Sequence, residues 1–438
     1  MSESGTVLTE AWNADELEKL KKDAAATVQR LLDERRSVRI PKLPFALTLD
    51  RPLVMDSGTS LFVDPETVIR MKPGCGGCMI RNRRLADGRL DDIDARNGDS
   101  DLWVEGGIWE GAARAPSPND PDVTMREMSR QILGVMFFSG VRRVTVRRAT
   151  IRRGEQYGIL LAGCRHFHVD EVFFDGHQKD GVHVNGPSEY GLIENLRGSC
   201  GDDFVALNAW DWDSSAVSFG AIRHILVRNI RCDHDEMRIL PGVKAYRSGK
   251  RTDCPVEDCR FESVSGAYNF KLYQQPNCHN IERAEKDFSA AAGLMKGIVF
   301  SDIALEKLTV EGLAEVQLDG VFEIGADAED VLFENIRVGV SAEELKKRGM
   351  TLVTVGPKSS TWTRGSTDPA EWCELFQPDL VVKADRLRFR NIVLNGQTCL
   401  DGRTLVGARR LSVNPDYPKT RPQGGTGYGV ILSAVIEA

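Results

Sequence analysis

No apolar stretch in the sequence approaches the roughly 20 residues that a membrane-spanning helix needs. The opening, MSESGTVLTEAWN, lacks a basic start followed by an apolar run, so no secretory leader is expected. Ten cysteines are scattered without the spacing of a disulfide framework. The close pairs are Cys75 with Cys78 and Cys254 with Cys259. The first is half of a zinc site with no second half, and it reads as structural. Reduced thiols in a cytoplasm are the expectation that follows. Also missing are a Walker loop, a dinucleotide fingerprint and an HExxH motif. No cofactor and no metal are therefore expected. A formal net charge of −7 disfavours general affinity for nucleic acid.

What is present suits a fold with many turns: 41 glycines and a hydrophobic fraction of 41% in 438 residues. That length exceeds the usual single globular domain, but a solenoid grows by adding coils that bring their own core. Leu17, Leu20, Ala24, Val28 and Leu31 follow helical spacing, and Asn13 with Glu16 forms a capping-box pattern. This predicts a helix over 14–33. From about Val38 onward, short β-rich runs alternate with Gly, Asn and Asp.

One phrase recurs there: apolar, any residue, Asn/Asp/Glu, then usually apolar. It reads Val169-Asp-Glu-Val, Ile193-Glu-Asn-Leu, Val227-Arg-Asn-Ile, Val256-Glu-Asp-Cys, Phe300-Ser-Asp-Ile, Phe333-Glu-Asn-Ile and Phe389-Arg-Asn-Ile, with Val146-Arg-Arg-Ala as a looser copy. Anchors 146, 169 and 193 lie 23 and 24 residues apart, and the later gaps are 34, 29, 44, 33 and 56. A period near 23 with insertions predicts an all-β fold, a right-handed parallel β-helix, with coils about 4.8 Å apart. Leucine-rich repeats share a similar period, but their leucine signature is absent. One domain over 1–438 is expected, with the helix 14–33 capping the open end of coils spanning 37–438. Long loops near 209–221, 275–295 and 340–380 are expected to wall a groove.

The densest polar cluster falls in consecutive coils. Asp175-Gly-His-Gln-Lys-Asp-Gly-Val-His183 is followed by Gly201-Asp-Asp-Phe-Val-Ala-Leu-Asn208. Asp180 and Asp203 are 23 residues apart, one coil, so they stack if the register holds, with Asp202 beside them. Carboxylates this close repel, so at least one should keep its proton. An acid beside an ionised base is what glycosidic cleavage needs. The bland alternative is that such Asp residues only satisfy turn N–H groups. His183, and His177 and Lys179 near it, weigh toward a site.

Aligning Met237-Arg-Ile-Leu240 with Phe204-Val-Ala-Leu207 places Glu236 over Asp203, with His234 and Arg238 within reach. Lys271 on the next coil is expected to face the same groove. Trp210, Trp212, Tyr246, Tyr268 and Tyr273 are candidate platforms for sugar rings. A run of arginines at 142, 143, 147, 148, 152 and 153 alternates and reads as a solvated outer face.

These segments resemble the polygalacturonase-like family of glycoside hydrolases, whose signature is Asn-Thr-Asp, Gly-Asp-Asp, Gly-His-Gly and Arg-Ile-Lys in successive coils. Here the four positions read Gln178-Lys179-Asp180-Gly181, Gly201-Asp202-Asp203, Asp235-Glu236-Met237 and Asn269-Phe270-Lys271. The similarity runs roughly from Leu47 to Tyr273. The resemblance implies a right-handed β-helix and an inverting hydrolase. In that scheme Asp202 is the general acid, Asp180 and Asp203 activate water, and Lys271 contacts substrate. Glu236 replaces the family histidine, and Asn269 replaces the arginine that grips a uronate. These departures point from plain polygalacturonan toward a neutral or differently charged oligosaccharide.

The rival enzyme readings are a polysaccharide lyase, a uronate epimerase, or an intramolecular glycosyl transferase; in the first two, Lys271, His183 or His234 serves as base. A non-catalytic carbohydrate-binding β-helix is the rival outside enzymology. The expected partner is an oligosaccharide, with no nucleic acid and no membrane, and a homo-oligomer is left open.

Overall fold

The computed structural model describes residues 12–73, 78–83, 98–111, 134–154, 157–211, 217–245, 251–272, 293–309, 311–312, 320–356, 360–362, 373–375, 381–408 and 429–437. The chain winds as a right-handed parallel β-helix, the hand that parallel crossover connections adopt almost without exception. A narrow sheet takes one short strand from each coil, in chain order. Its central strands are Met136–Ser139, Ile159–Ala162, Val182–Asn185, Asp203–Asn208, Glu236–Leu240, Asn269–Leu272, Gly320–Ile324 and Thr351–Val355. A broad sheet takes the rest of each coil and bends partway along.

The recurring phrase is the bend. Its first apolar residues stack in register as Val146, Val169, Ile193, Val227, Phe261, Phe300, Phe333 and Phe389. All are buried, and the phenylalanine rings stack at 5.5, 5.4 and 5.1 Å. Each buried ring contributes about 1.5–3 kcal/mol, with about 0.5–1.5 kcal/mol more from stacking. The polar residue two places on turns the backbone through positive φ at Arg148, Glu171, Asn195, Asn229, Ser263, Asp302, Asn335 and Asn391. Asn and Asp tolerate this left-handed conformation better than other side chains. Their amides link coils, as where Asn335 Nδ2 donates to Asp302 Oδ1 at 3.0 Å and Asn391 Nδ2 to Asn335 Oδ1 at 2.8 Å.

Two sequence expectations change. Val256-Glu-Asp-Cys belongs to a second column of positive-φ corners, five residues earlier in each coil, which includes His224, Asp258, Asp330 and Arg386. The true neighbour of Val227 is Phe261, so gaps of 29 and 44 become 34 and 39. The expected helix over 14–33 is two helices, α1 (Ala14–Lys22) and α2 (Ala24–Glu34). Asp23, with φ −147° and ψ 88°, breaks the run because its side chain caps the second helix at Ala26 N. The Asn13–Glu16 capping box is present. Leu20, Val28, Leu31 and Leu32 bury against the first coils, so the pair closes the stack.

The segment 340–380 is only partly insertion. It contains helix α3 (Ala342–Lys347), started by a Ser341–Glu344 capping box, and the narrow-sheet strand Thr351–Val355. Among the described residues the cysteines, Cys254 and Cys259 included, are free thiols; Cys75 lies outside the described residues. The arginine run lies on the outer face in ion pairs: Arg147 with Asp170 at 3.1 Å, Arg148 with Glu171 at 2.9 Å and Arg152 with Glu110.

Candidate active site

The site forms where the broad sheet ends and the chain turns into the narrow sheet. Glycine is required at the turn: a Cβ on Gly201 would stand 2.3 Å from the carbonyl of Gln178 one coil below. That close approach sets Asp202 and Asp203 over Lys179 and Asp180. Gly181 N donates to Asp203 O at 2.9 Å, so Asp180 and Asp203 stack as the spacing predicts. One oxygen from each of Asp180, Asp202 and Asp203 lies within 4.8 Å of the others.

Glu236 also pairs with Asp203, but by a different route from the one the pattern suggests. Met237 is opposite Val205, not Phe204, and a β-bulge between Asp203 and Val205 restores Glu236 to Asp203. The bulge sends Phe204 and Val205 both into the core and leaves Asp203 on the outer face with Glu236 and Arg238.

The carboxylates differ in environment. Asp203 is 1% exposed. Burial raises its pKa to about 6, against the pull of Arg238 and Lys271. Arg238 Nε lies 2.7 Å from Asp203 Oδ2. The Asp202 side chain is 31% exposed and pairs with the Lys179 ammonium. Burial pushes Asp202 upward, but Lys179, Arg238 and Lys271 outweigh it and hold the carboxyl below its ordinary range. Lys179 is held above its ordinary value: burial lowers it, and Asp180, Asp202 and Asp203 more than compensate. Asp180 is buried and bonded to His183 Nδ1 at 2.6 Å.

Around this trio, Glu236 accepts hydrogen bonds from the Tyr268 hydroxyl and pairs with Lys271. Burial, with Asp203 and Asp202 nearby, raises the Tyr268 hydroxyl to about 12, so it stays a donor. The His234 ring stacks on Tyr268 at 4.5 Å, at the exposed rim. Asp235 is clipped into the turn below by the N–H groups of Cys200 at 2.6 Å and Asp233 at 3.0 Å, and burial raises it to about 7.

Several expected substrate contacts are corrected. Trp210 is fully buried in the main core and cannot face a groove. Asn269 has no exposed surface, and its amide donates to the carbonyls of Gly320 at 3.4 Å and Val321 at 3.2 Å, joining two coils. His183 is 1% exposed and enclosed between carboxylates. His177 is buried beside Phe174. Trp212, Tyr246 and Tyr273 lie outside the described residues. His234 and Lys271 keep exposed surface beside the trio, while Glu236 and Arg238 serve through their ion pairs. The sequence reading marked the tryptophans and passed over Asp211 between them, which lies 3.2 Å from His183 Nε2.

A second cluster, His168, Asp170 and Glu194, also gathers its side-chain ligand atoms within 4.8 Å. There Arg147 and Arg228 provide the counter-charge, as Lys179 and Arg238 do for the aspartates. Neither cluster is assigned a metal.

The sequence matches no protein-family profile, and the search of curated proteins found no match. Some solved structures are similar to it. The endo-xylogalacturonan hydrolase of Aspergillus tubingensis is similar at 12% identity over 95% of this chain and 96% of its own, with a TM-score of 0.48. The polygalacturonase of Erwinia carotovora ssp. carotovora is similar at 13% identity over 89% and 94%, with a TM-score of 0.47. The catalytic domain of a GH87 α-1,3-glucanase in complex with nigerose is similar at 10% identity over 94% and 67%, with a TM-score of 0.39.

Proposed function

We propose that the protein is a glycosidase that cleaves an oligosaccharide by acid/base catalysis at Asp180, Asp202 and Asp203. The observation that carries this reading is the gathering of three carboxylates from neighbouring coils, one oxygen of each within 4.8 Å of the others, in unlike settings: burial raises Asp203 to about 6, and the cations led by Lys179 hold Asp202 low. Asp202 and Asp203 together keep one proton beside one carboxylate up to about pH 6. Asp202 is the member that reaches solvent, and so the one to meet a glycosidic oxygen. A bound sugar that covers the exposed part of Asp202 desolvates its carboxylate and raises its proton affinity toward that of Asp203, with Lys179 still paired to it. The shared proton then moves from Asp203 to Asp202, which donates it to the leaving oxygen. Asp180 and Asp203 are left ionised to activate water at the anomeric carbon.

The substrate is neutral in this reading. Lys179, Arg238 and Lys271 are each matched to a carboxylate of the site, which leaves none of them to hold a uronate. The lyase and epimerase readings need a free base; Lys271 is paired with Glu236 and His183 lies between two carboxylates, which leaves them His234, stacked on Tyr268 at the rim. The trio's shortest oxygen spacing, within 4.8 Å, is below the roughly 6.5–9.5 Å usual between the carboxyls of inverting enzymes. Inversion therefore rests on the sequence resemblance alone, and the anomer first released, read by proton NMR, assigns it. A cytoplasmic location is part of the proposal and is checked by cell fractionation.

The test is product analysis across neutral and uronic oligosaccharides. New reducing ends from a neutral sugar, without a product absorbing in the ultraviolet, are expected. Asp202→Asn should lower turnover by about 10²- to 10⁴-fold while the protein stays folded. An ultraviolet-absorbing product, or equal turnover by wild type and variant, overturns the reading.

A further inference from the structure

Behind the trio, three side chains form a buried line. His183 Nδ1 lies 2.6 Å from Asp180 Oδ2, and His183 Nε2 lies 3.2 Å from Asp211 Oδ2. Asp180, His183 and Asp211 are at most 3% exposed. Asn208 Nδ2 donates to the same Asp211 oxygen at 3.0 Å. The Tyr157 ring stacks on the imidazole from the coil below at 4.0 Å, and Ala206 occupies the matching position on the coil above. Asn185 accepts from Val217 N at 3.1 Å through Oδ1 and donates to Asn208 O at 3.3 Å through Nδ2, and that Nδ2 also lies 3.2 Å from His183 Nε2. The imidazole is thus fixed in place, and its ring nitrogens meet carboxylates at both ends.

From this geometry we infer that Asp211 is a positioning residue, which acts through His183 to orient Asp180 and keep a cation against it. The inference rests on the glycosidase reading above. Burial alone would strip the proton from His183, but the two carboxylates raise it to about 9, so the ring is an imidazolium at neutral pH. The fold itself has no need of charge at this ladder position. The two preceding coils fill it with Phe137 and Leu160. Buried ion pairs gain little stability over apolar packing of similar shape. The charged version stands where the carboxylate trio stands.

The variant Asp211→Asn keeps the shape and removes the far charge. His183 should then titrate lower by about one pH unit or more, and Asp180 should lose part of its counter-charge. The acid limb of the pH–rate profile should move to higher pH, with kcat down about 10- to 100-fold and KM within about twofold. His183 has a readout independent of turnover: nitrogen NMR of the imidazoles, seven in the chain, in wild type and variant. Both His183 ring nitrogens protonated at about pH 8 in wild type supports the clamp. A neutral His183 at about pH 7 in the wild type overturns it, as does an Asp211→Asn enzyme with unchanged kcat and pH profile. His183→Gln, which keeps a polar group without the charge, should give the same limb shift if Asp211→Asn does not fold. Absence of turnover on every sugar sinks the glycosidase reading instead, and the NMR titration still decides whether the clamp exists.

Discussion

Glu110 and Asp203 are both almost fully buried carboxylates on the coil wall, and their proton affinities move in opposite directions. Burial raises both. At Glu110 the guanidinium groups of Arg70 and Arg152 outweigh it and hold the carboxyl below its ordinary value. At Asp203 burial, helped by two further carboxylates, Asp180 and Asp202, outweighs the pull of Arg238 and Lys271, and the result is a pKa near 6. The lesson is that burial does not decide whether a carboxylate becomes an anchor or a proton store. The neighbouring carboxylates, which Asp203 has and Glu110 lacks, tip the balance. Two arginines to one acid make a fastening between coils. Three clustered aspartates, even with Lys179, Arg238 and Lys271 around them, keep a proton available up to about pH 6.

The largest effect that could break this comparison is at Asp203. Asp203→Asn should lower turnover by about 10²-fold or more. It should also change the pH dependence of stability. The folded-state value of Asp203, about 6, stands above the ordinary 3.8, so its contribution favours folding at low pH and is lost as pH rises through about 6. Between about pH 4 and 7 the wild type should therefore lose roughly 1–3 kcal/mol relative to the variant. Urea midpoints across that range measure it. A constant difference would mean that Asp203 does not store the proton.

Glu110→Gln should show the reverse sign. The Glu110 contribution is present above about pH 4.5 and is lost as pH falls through its lowered folded value. At neutral pH the variant should be about 1–3 kcal/mol less stable, with turnover within about twofold of wild type. A large loss of turnover would show that the two carboxylates are not the separate types described. The smallest effect is expected at the bend far from the site. Asn335→Ala, at φ 54° and bonded to Asp302 and Asn391, should cost about 1 kcal/mol by thermal melting and leave both the pH profile and turnover alone.

Much of the fold was legible because the coil writes its period into the chain. Val146, Val169 and Ile193 stand at 23 and 24 residues, and they pair in register. Asp180 and Asp203 were predicted to stack for the same reason, and they do. Reading failed where two places in a coil share one chemistry. Both corners require positive φ and accept Asp or Asn, so Val256-Glu-Asp-Cys passed for the second corner when it marks the first. It failed again at the bulge beside Asp203, since an extra residue in a parallel strand leaves no mark in an apolar run such as Phe204-Val205-Ala206. Trp210 looked like a sugar platform because an aromatic in an insertion carries no sign of which way it faces.

From the sequence alone came the winding of the chain, its helical cap and the meeting of Asp180, Asp202 and Asp203, since each depends on periodic spacing or local capping that neighbouring residues encode. The tertiary structure alone decided that Asp203 is buried while Asp202 reaches solvent, that Asn269 and Trp210 are internal, and that Asp211 closes on His183. Those outcomes depend on burial and on charges brought together from different coils, and such distances are written nowhere along the chain.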